Sequence, residues 1–314
     1  MAATTLEIRD GNPWWLSTDI WVVPGDDPTG PPGSPVGGQT AYVWATVTNQ
    51  GPTDVADARV DFVWADPSLQ VARSTAHPIG SGYVTVAAGQ SMDVLCLTPW
   101  LPVVVNDGHE CLVAVVVSSA DPLPSPLPDA YDPPTYHQVA QRNLTVLEAG
   151  GQMRVLTLTL VAPARVAKSA HVRIEERQSL DRDLAEHLGL SHLKPARPGT
   201  VRATLAVGPA LCPDPSSEAK GHHELDVRVA AGTRVPLRLA IDGRRLQRGQ
   251  YEAVHVVEHD GDRETGGIMF VVTHARDTGA HRDDEGQHDG DRQHDGDRQH
   301  HGDKHRAGEG EEQS

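Results

Sequence analysis

Cysteine is nearly absent, because the 314-residue chain contains only Cys96, Cys111 and Cys212. A low, odd count excludes the multi-disulfide framework that stabilises many small secreted domains. Cys96 and Cys111 lie on consecutive predicted strands, so one disulfide between them and two buried free thiols are both compatible with the sequence. Cys212 falls in a proline-rich turn, which predicts a free thiol.

Long apolar runs are also missing. No hydrophobic stretch approaches the roughly 18 residues that a membrane-spanning helix requires. Residues 1–15 do not place a charged segment before an apolar one, so they do not resemble a secretory signal. The sequence therefore predicts no membrane insertion and a cytoplasmic location, with leaderless export or association with the cell surface as the alternative.

Basic charge is scarce. Lys and Arg number 27 against 43 Asp and Glu, and the net charge is -16. This charge argues against nucleic acid and anionic membrane surfaces as partners, because both attract basic proteins. The G-x-S-x-G elbow, the phosphate loop and the G-x-G-x-x-G fingerprint are absent as well. The sequence therefore predicts no catalytic residue and no cofactor site outside the tail described below.

Short alternating segments fill the first half of the chain. At 39–51, Tyr42, Trp44 and Thr46 alternate with Val43 and Ala45, and this period of two is typical of a strand. About seven such segments are separated by turns rich in Pro and Gly; they span 19–25, 39–51, 58–67, 77–89, 91–100, 109–119 and 139–148. Residues 17–149 are therefore predicted to form an immunoglobulin-like β-sandwich after an N-terminal segment, 1–16.

The second half repeats this pattern with one interruption. Residues 150–274 contain about seven more predicted strands, at 153–161, 167–176, 200–208, 223–232, 233–242, 251–260 and 267–274. Residues 179–191 predict a short helix, with Ser179 as its cap and Gly189 at its end. The predicted fold class is all-β, with two tandem immunoglobulin-like sandwiches and one short helix inserted in the second. Residues 275–314 are predicted to be a disordered tail.

Six stretches of the first half resemble, in the same order, bacterial CARDB-like modules, which are cell-adhesion-related immunoglobulin-like domains. They are STDIWVVPGDD (17–27), AYVWATVTNQGP (41–52), IGSGYVTVAAGQ (79–90), TPWLP (98–102), GHECLVAVV (108–116) and VAQRNLTVLE (139–148). The resemblance covers about residues 15–148. It implies a binding or spacer role, since such modules stand as repeats or appendages beside adhesins and cell-surface enzymes.

Two long loops rich in Pro and Gly, 26–38 and 121–134, are the predicted interaction surfaces, because loops on a firm scaffold often carry binding residues. The candidate partner-binding residues are Asp26, Asp27 and Tyr131 in these loops, and Trp14 and Trp15 ahead of the first strand. The alternative for the two tryptophans is that they cover the sandwich. The leading hypothesis is a non-enzymatic interaction, structural or adhesion-type module with an unknown protein partner, and nothing specifies its oligomeric state.

The tail supports a second hypothesis, a metal-handling protein. The motif QHDGDR at 287–292 recurs at 293–298, and QHHGDK follows at 299–304. Histidine-rich tracts bind zinc or nickel weakly. The candidate ligands are His281, His288, His294, His300, His301 and His305. The other interpretation of the tail is a solubilising, repeat-expanded segment.

His255, Glu258 and His259 match H-x-x-E-H, a zinc-hydrolase motif that requires a helix. The flanking alternation and the Asp260-Gly261 turn predict a hairpin strand instead. Two residues four apart on a strand lie about 13 Å apart. That is too far for one zinc ion with ligands near ~2 Å. A metal-dependent hydrolase is therefore the third and least favoured hypothesis.

Overall fold

The structure, a computed structural model, describes residues 5–66, 68–103, 111–162, 165–177, 179–208 and 221–274. These residues all belong to one compact unit, 1–279. The predicted disordered tail with its histidines, and Cys212, lie outside the described residues. In the part of the chain that is described, no helix has the length and apolar character needed to cross a membrane.

Nine strands form before residue 149. They are β1 (Leu6–Glu7), β2 (Ile20–Pro24), β3 (Ala41–Asn49), β4 (Val55–Ala65), β5 (His77–Val86), β6 (Ser91–Leu95), β7 (Cys111–Val117), β8 (Val139–Arg142) and β9 (Leu144–Glu148). β3 pairs with β1, β2 and β6 in one sheet, which we call the β3 sheet. The second sheet, the β4 sheet, has the order β5-β4-β7-β8.

These two sheets pack face to face as the first sandwich. Alternate residues of β3 are buried, as the period of two predicts. Val43 and Val47 of the β3 sheet meet Val60 and Phe62 of the β4 sheet in one hydrophobic core. A β-sandwich in the first half of the chain, as the all-β fold class predicts, is confirmed.

The second half contributes eight strands and one helix. They are β10 (Met153–Val161), β11 (Lys168–Arg177), α1 (Arg182–His187), β12 (Lys194–Pro195), β13 (Arg202–Val207), β14 (Glu224–Val229), β15 (Arg234–Asp242), β16 (Gln250–Asp260) and β17 (Arg263–Thr273). The β15 sheet has the order β10-β15-β13, and the β16 sheet has the order β14-β11-β16-β17-β9 with β12 paired to β16.

The second sandwich buries the facing sides of these two sheets. Leu156, Leu158 and Leu237 of the β15 sheet pack with Val256 and Phe270 of the β16 sheet. The all-β fold class, with a single short helix in its second half, is confirmed for the described residues.

The helix α1 begins later than the sequence predicts. Its cap is Asp181, whose carboxylate accepts a hydrogen bond from the Asp183 amide at 2.8 Å. The prediction of Ser179 as the cap is wrong, because Asp181 offers an acceptor at the position where the helical turn starts. The helix ends before Gly189, which has φ of 69°. Leu184 packs against the outer face of the β16 sheet, on the side away from the core.

Cys96 and Cys111 are both free, buried thiols, so the free-thiol alternative is confirmed. Cys96 lies in the core of the first sandwich, and Cys111 lies on the opposite face of the β4 sheet. Because a thiolate is poorly solvated in such surroundings, burial raises the pKa of the Cys111 thiol.

The chain crosses between the sandwiches inside a segment that the sequence predicts as one strand, 139–148. β8 pairs with β7 in the first sandwich, whereas β9 runs parallel to β17 in the second. The prediction of a single strand in the first sandwich is therefore wrong. Apolar alternation identifies a strand without showing which sheet it joins. The domain limits 17–149 and 150–274 stay predictions.

Asn143 lies at this crossing and is buried. Its side-chain amide donates hydrogen bonds to the carbonyl oxygens of Ser68, at 2.9 Å, and Gly267, at 2.6 Å. Ser68 follows the first sandwich's β4, and Gly267 belongs to β17 of the second. One side chain therefore connects the two sandwiches.

Leu69 provides a second connection. It lies between β4 and β5 of the first sandwich, yet it is fully buried in the core of the second. The neighbouring Ser68 forms an isolated, parallel β-bridge with Thr159 of β10. Gly266 permits this approach, since a side chain at 266 would overlap the Leu69 carbonyl. The two sandwiches therefore interlock.

We expect Asn143→Ala to lower the free energy of unfolding of the full chain by about 1–3 kcal/mol, because it leaves two buried carbonyl oxygens without their donor. Urea unfolding measures the change. The control is Gln152→Ala, which removes one exposed hydrogen bond to the Glu148 carbonyl and is expected to change stability by less than about 0.5 kcal/mol. Equal effects of the two substitutions would contradict the bridging role of Asn143.

Candidate functional site

The H-x-x-E-H segment lies on β16, as the sequence predicts. His255 is opposite Met269, which packs on the outer face of the β16 sheet. Glu258 is opposite Val172, which packs in the core between the two sheets. His255 and Glu258 therefore point to opposite faces. Among the described residues, no group of three or more His, Cys, Asp or Glu side chains is arranged to hold a metal ion.

Glu258 instead forms an ion pair at the end of the second core. Its Oε1 lies 2.5 Å from Nζ of Lys168, the first residue of β11. Glu258 is 1% exposed, and the Lys168 side chain is 14% exposed. The other carboxylate oxygen, Oε2, is buried and accepts no hydrogen bond from the described residues. Such an oxygen has lost its water without gaining a protein donor, which is costly.

A cavity of about 470 Å³ opens beside this ion pair, and residues of both sandwiches form its walls. The first sandwich and the segments attached to it contribute Trp14, Gln70, Ala130, Tyr131, Asp132 and Pro134. The second contributes Val166, Ala167, Lys168, Ser169, Glu258, Asp260, Arg263, Glu264 and Thr265. We call this space the junction cavity.

The junction cavity is negatively charged. Four carboxylates line it, together with two cations, Lys168 and Arg263. Arg263 reaches across from the second sandwich to the Asp132 carboxylate at 3.1 Å. A concave site with a surplus of one charge concentrates ligands of the opposite charge. The cavity therefore favours a cation.

Three of the residues singled out from the sequence lie at or beneath this cavity. Trp14 is half-buried, and its ring meets the ring of Trp15 edge to face at 5.6 Å. Trp15 is fully buried against the outer face of the β16 sheet, as the alternative of a tryptophan that covers a sandwich predicts. Tyr131 is also buried, with the Arg73 guanidinium 4.1 Å above its ring centre. Trp14 and Tyr131 line the cavity, whereas Trp15 supports it.

Asp26 and Asp27 do not line the junction cavity and are exposed on the 26–38 loop. The backbone amide and hydroxyl of Thr29 donate to the Asp27 carboxylate at 2.9 and 2.8 Å. These hydrogen bonds hold the pKa of Asp27 below its ordinary value. The indole of Trp44 anchors the same loop by donating to the Pro28 carbonyl at 3.0 Å.

The other predicted loop, 121–134, covers a sheet instead of projecting from an end of the sandwich. Tyr131 and Leu123 pack over Val113 and Val115 on the outer face of the β4 sheet. The loop then reaches the junction cavity at Asp132. This course follows from the apolar outer face of β7, which requires a cover.

Lys168 and Asp132 are the cavity residues that the sequence does not reveal. Lys168 is 90 positions from Glu258, and Asp132 is 131 positions from Arg263. Only the pairing of β11 with β16 and the interlock of the sandwiches bring these charges together. No local pattern predicts contacts of this kind.

Partial burial, with a smaller contribution from acidic neighbours, changes the pKa of Asp10, which interacts with Asp132 of the cavity wall. Burial, together with repulsion from Glu7 and Asp132, raises the pKa of Asp10 to about 7. A carboxyl whose pKa is raised on folding stabilises the fold at low pH, and this contribution is lost as the pH rises through about 7. Exposure of the carboxyl to water reduces the size of the effect.

We therefore expect Asp10→Asn to reduce the fall in the free energy of unfolding between about pH 4 and about pH 7, because the part of the fall due to Asp10 runs from the ordinary carboxyl pKa to the raised value of about 7. Urea unfolding midpoints at these two pH values measure the difference. Asp26→Asn, in a distant exposed loop, serves as the control and is expected to keep the wild-type slope. An unchanged slope in Asp10→Asn would contradict this account of Asp10.

Comparison with known proteins finds no matching family model and no matching curated protein. The solved structures that are similar at a low level include the following two. A red sea bream transglutaminase is 12% identical, with a TM-score of 0.21 over 81% of this chain. A mutant of the CFA/I enterotoxigenic E. coli adhesin CfaE is 10% identical, with a TM-score of 0.24 over 87% of this chain and 93% of the adhesin. The chain spans 31% of the transglutaminase, and neither similarity supports a functional conclusion.

Proposed function

We propose that this chain is a non-enzymatic protein-interaction module and that a protein partner docks at the junction cavity. The observation that carries the proposal is that both sandwiches contribute walls to one cavity, while Leu69 and Asn143 hold the sandwiches together. The CARDB-like resemblance of residues 15–148 agrees with a binding or spacer role and is part of the same proposal.

Preorganisation supports this location. A cavity whose walls are already interlocked loses little conformational freedom when a partner binds, so more of the contact energy appears as affinity. Trp14 is half-buried at the wall, and charged residues such as Glu264 and Arg263 line the same cavity. A central aromatic side chain with a polar rim is the usual arrangement of an interaction hot spot.

Charge reversal tests the proposal against the other predicted surface. The full chain and the variants Glu264→Lys and Asp26→Lys are used to capture partners, and bound proteins are quantified by mass spectrometry. We expect Glu264→Lys, in the cavity wall, to lose a partner that Asp26→Lys retains. Loss with Asp26→Lys alone would move the docking surface to the 26–38 loop. Equal binding by all three chains would contradict a role for either surface.

A further inference from the structure

A second cavity, of about 760 Å³, lies on the outer face of the β4 sheet. The 121–134 loop covers this face over β7, where Leu123 and Tyr131 pack on Val113 and Val115. Residues of β4 and β5 form the rest of the cavity wall beside this cover. We call this space the β4-sheet cavity. Tyr131 is the lining residue that it shares with the junction cavity.

We infer that the β4-sheet cavity binds a small amphipathic carboxylate, which is an organic acid with an apolar body. The apolar body lies against the aliphatic side chains of the wall, and the carboxylate accepts hydrogen bonds from Arg73 and Arg59. This inference goes beyond the proposed function, because its ligand is a small molecule and its site does not require docking at the junction cavity.

The first argument is an apolar wall that the loop leaves accessible. Val63 of β4, Val117 of β7, and Leu123 and Leu127 of the loop line the cavity. Each of these residues is only partly buried, so each keeps surface that a ligand can reach. An apolar body bound here is removed from water together with these side chains, and this transfer is favourable. The wall therefore selects a ligand with an apolar body.

The second argument is the availability of donors on Arg73. Its guanidinium carbon lies 4.1 Å from the centre of the Tyr131 ring, and its Nε donates to the Pro128 carbonyl at 3.2 Å. These contacts hold the guanidinium group at the cavity wall, where the residue is half-buried. No carboxylate among the described residues pairs with it. A guanidinium group carries five N–H donors in a fork that matches a carboxylate, so donors remain for a ligand.

The third argument is the charge beside Arg73. Arg59 and Asp61 form an ion pair at 3.0 Å, and the other Asp61 oxygen accepts a hydrogen bond from the Ser81 hydroxyl at 2.7 Å. Both Asp61 oxygens therefore already have donors, whereas the Arg59 side chain is 48% exposed and can be reached by a ligand. Two of the three charged residues that line the cavity are arginines. A concave wall with more cations than anions favours an anion.

The polar groups of the cavity also lie near one another. Burial raises the pKa of Tyr131, while Arg73 lowers it and Asp61 raises it further. Because such interactions weaken with distance, the Tyr131 hydroxyl, Arg73 and Asp61 belong to one polar region. A volume of about 760 Å³ with an apolar wall and a few convergent polar groups is the usual composition of a small-molecule site.

Octanoate tests the inference on the full chain. Octan-1-ol is its neutral analogue, and acetate carries the carboxylate without a long apolar body. Isothermal titration measures the three dissociation constants. We expect octanoate to bind and octan-1-ol to bind about tenfold or more weakly, because the charged hydrogen bonds are lost. Acetate is expected to bind at least about a hundredfold more weakly than octanoate, because it buries little apolar surface.

Variants then locate the carboxylate. We expect Arg73→Met to weaken octanoate binding by about tenfold and to leave octan-1-ol binding unchanged, because methionine keeps an apolar stem and loses the charge. Arg59→Met is expected to weaken octanoate binding by about threefold, since an ion pair already occupies part of this guanidinium group. Arg244→Met is the matched control, because Arg244 is an ion-paired arginine outside the cavity. Urea unfolding curves establish that each variant is folded.

Four results would overturn the inference. They are the absence of octanoate binding, equal affinity for octanoate and octan-1-ol, unchanged octanoate affinity in both Arg73→Met and Arg59→Met, and an equal loss of affinity in Arg244→Met. N-acetyl-glutamate methylamide represents an acidic side chain of a protein. If it binds as tightly as octanoate, the arginines recognise an acidic residue of a partner and the small-molecule site is wrong.

The variant Glu264→Lys separates this inference from the proposed function. Glu264 lines the junction cavity and not the β4-sheet cavity. We therefore expect Glu264→Lys to bind octanoate as the wild type does, whether or not it loses a captured partner. Loss of octanoate binding in Glu264→Lys would place the ligand in the junction cavity and would contradict the β4-sheet cavity as its site.

Discussion

Replacing Leu69 by alanine is expected to lower the free energy of unfolding of the full chain by about 2–5 kcal/mol. Leu69 belongs to the chain of the first sandwich and is fully buried in the core of the second. The substitution removes apolar surface from that core and leaves a cavity that the neighbouring strands fill only partly. Because the side chain also connects the sandwiches, the loss should reduce the cooperativity of unfolding as well as its midpoint.

Urea unfolding followed by Trp fluorescence and by far-UV circular dichroism measures both effects. Trp44, Trp64 and Trp100 belong to the first sandwich, whereas Trp14 and Trp15 pack against the second, so fluorescence reports on the first sandwich and the junction and circular dichroism reports on both sandwiches. Leu97→Ala is the control, because Leu97 is 68% exposed and its truncation is expected to cost less than about 0.5 kcal/mol. A Leu69→Ala chain as stable as the Leu97→Ala chain would show that Leu69 does not connect the sandwiches.

The second large effect is expected for Lys168→Met. This change removes the only cation paired with the buried Glu258 among the described residues. It is expected to cost about 3–5 kcal/mol, because an uncompensated charge remains in the protein interior. The double variant Lys168→Met/Glu258→Leu removes both charges and should recover most of the lost stability.

A surface pair supplies the matched control. Arg59 and Asp61 form an ion pair at 3.0 Å with both side chains about one third to one half exposed. Arg59→Met is expected to change stability by less than about 1 kcal/mol, since water screens such a pair. A cost for Lys168→Met as small as that of Arg59→Met, or no recovery in the double variant, would contradict a buried ion pair.

The sequence alone predicts the elements that depend on residues close together in the chain. The alternation of Val43, Ala45 and Val47 with polar or aromatic residues predicts β3 and the face of it that is buried. The turn at Asp260-Gly261 predicts the hairpin of β16 and β17, and the odd spacing of His255 and Glu258 on β16 places them on opposite faces of the sheet. These predictions depend on residues that are neighbours in the chain.

The sequence does not predict the junction between the two sandwiches, because its contacts join residues far apart in the chain. Nothing around Leu69 indicates that its side chain enters the second core. Asn143 stands within a continuous strand-like run, which hides the change of sheet. The sequence offers Trp14 and Trp15 as a pair. It does not predict that Trp15 is buried on the outer face of the β16 sheet while Trp14 lines the cavity.

The central claim is that the two sandwiches interlock through Leu69 and Asn143 and so present one cavity. Differential scanning calorimetry of the full chain tests it most directly. Interlocked sandwiches predict one unfolding transition in which the calorimetric and van't Hoff enthalpies agree, because unfolding of either sandwich breaks the contacts of Leu69 and Asn143 with the other. Two separate transitions, each with its own midpoint, would contradict the interlock and with it the cavity as a preformed binding site.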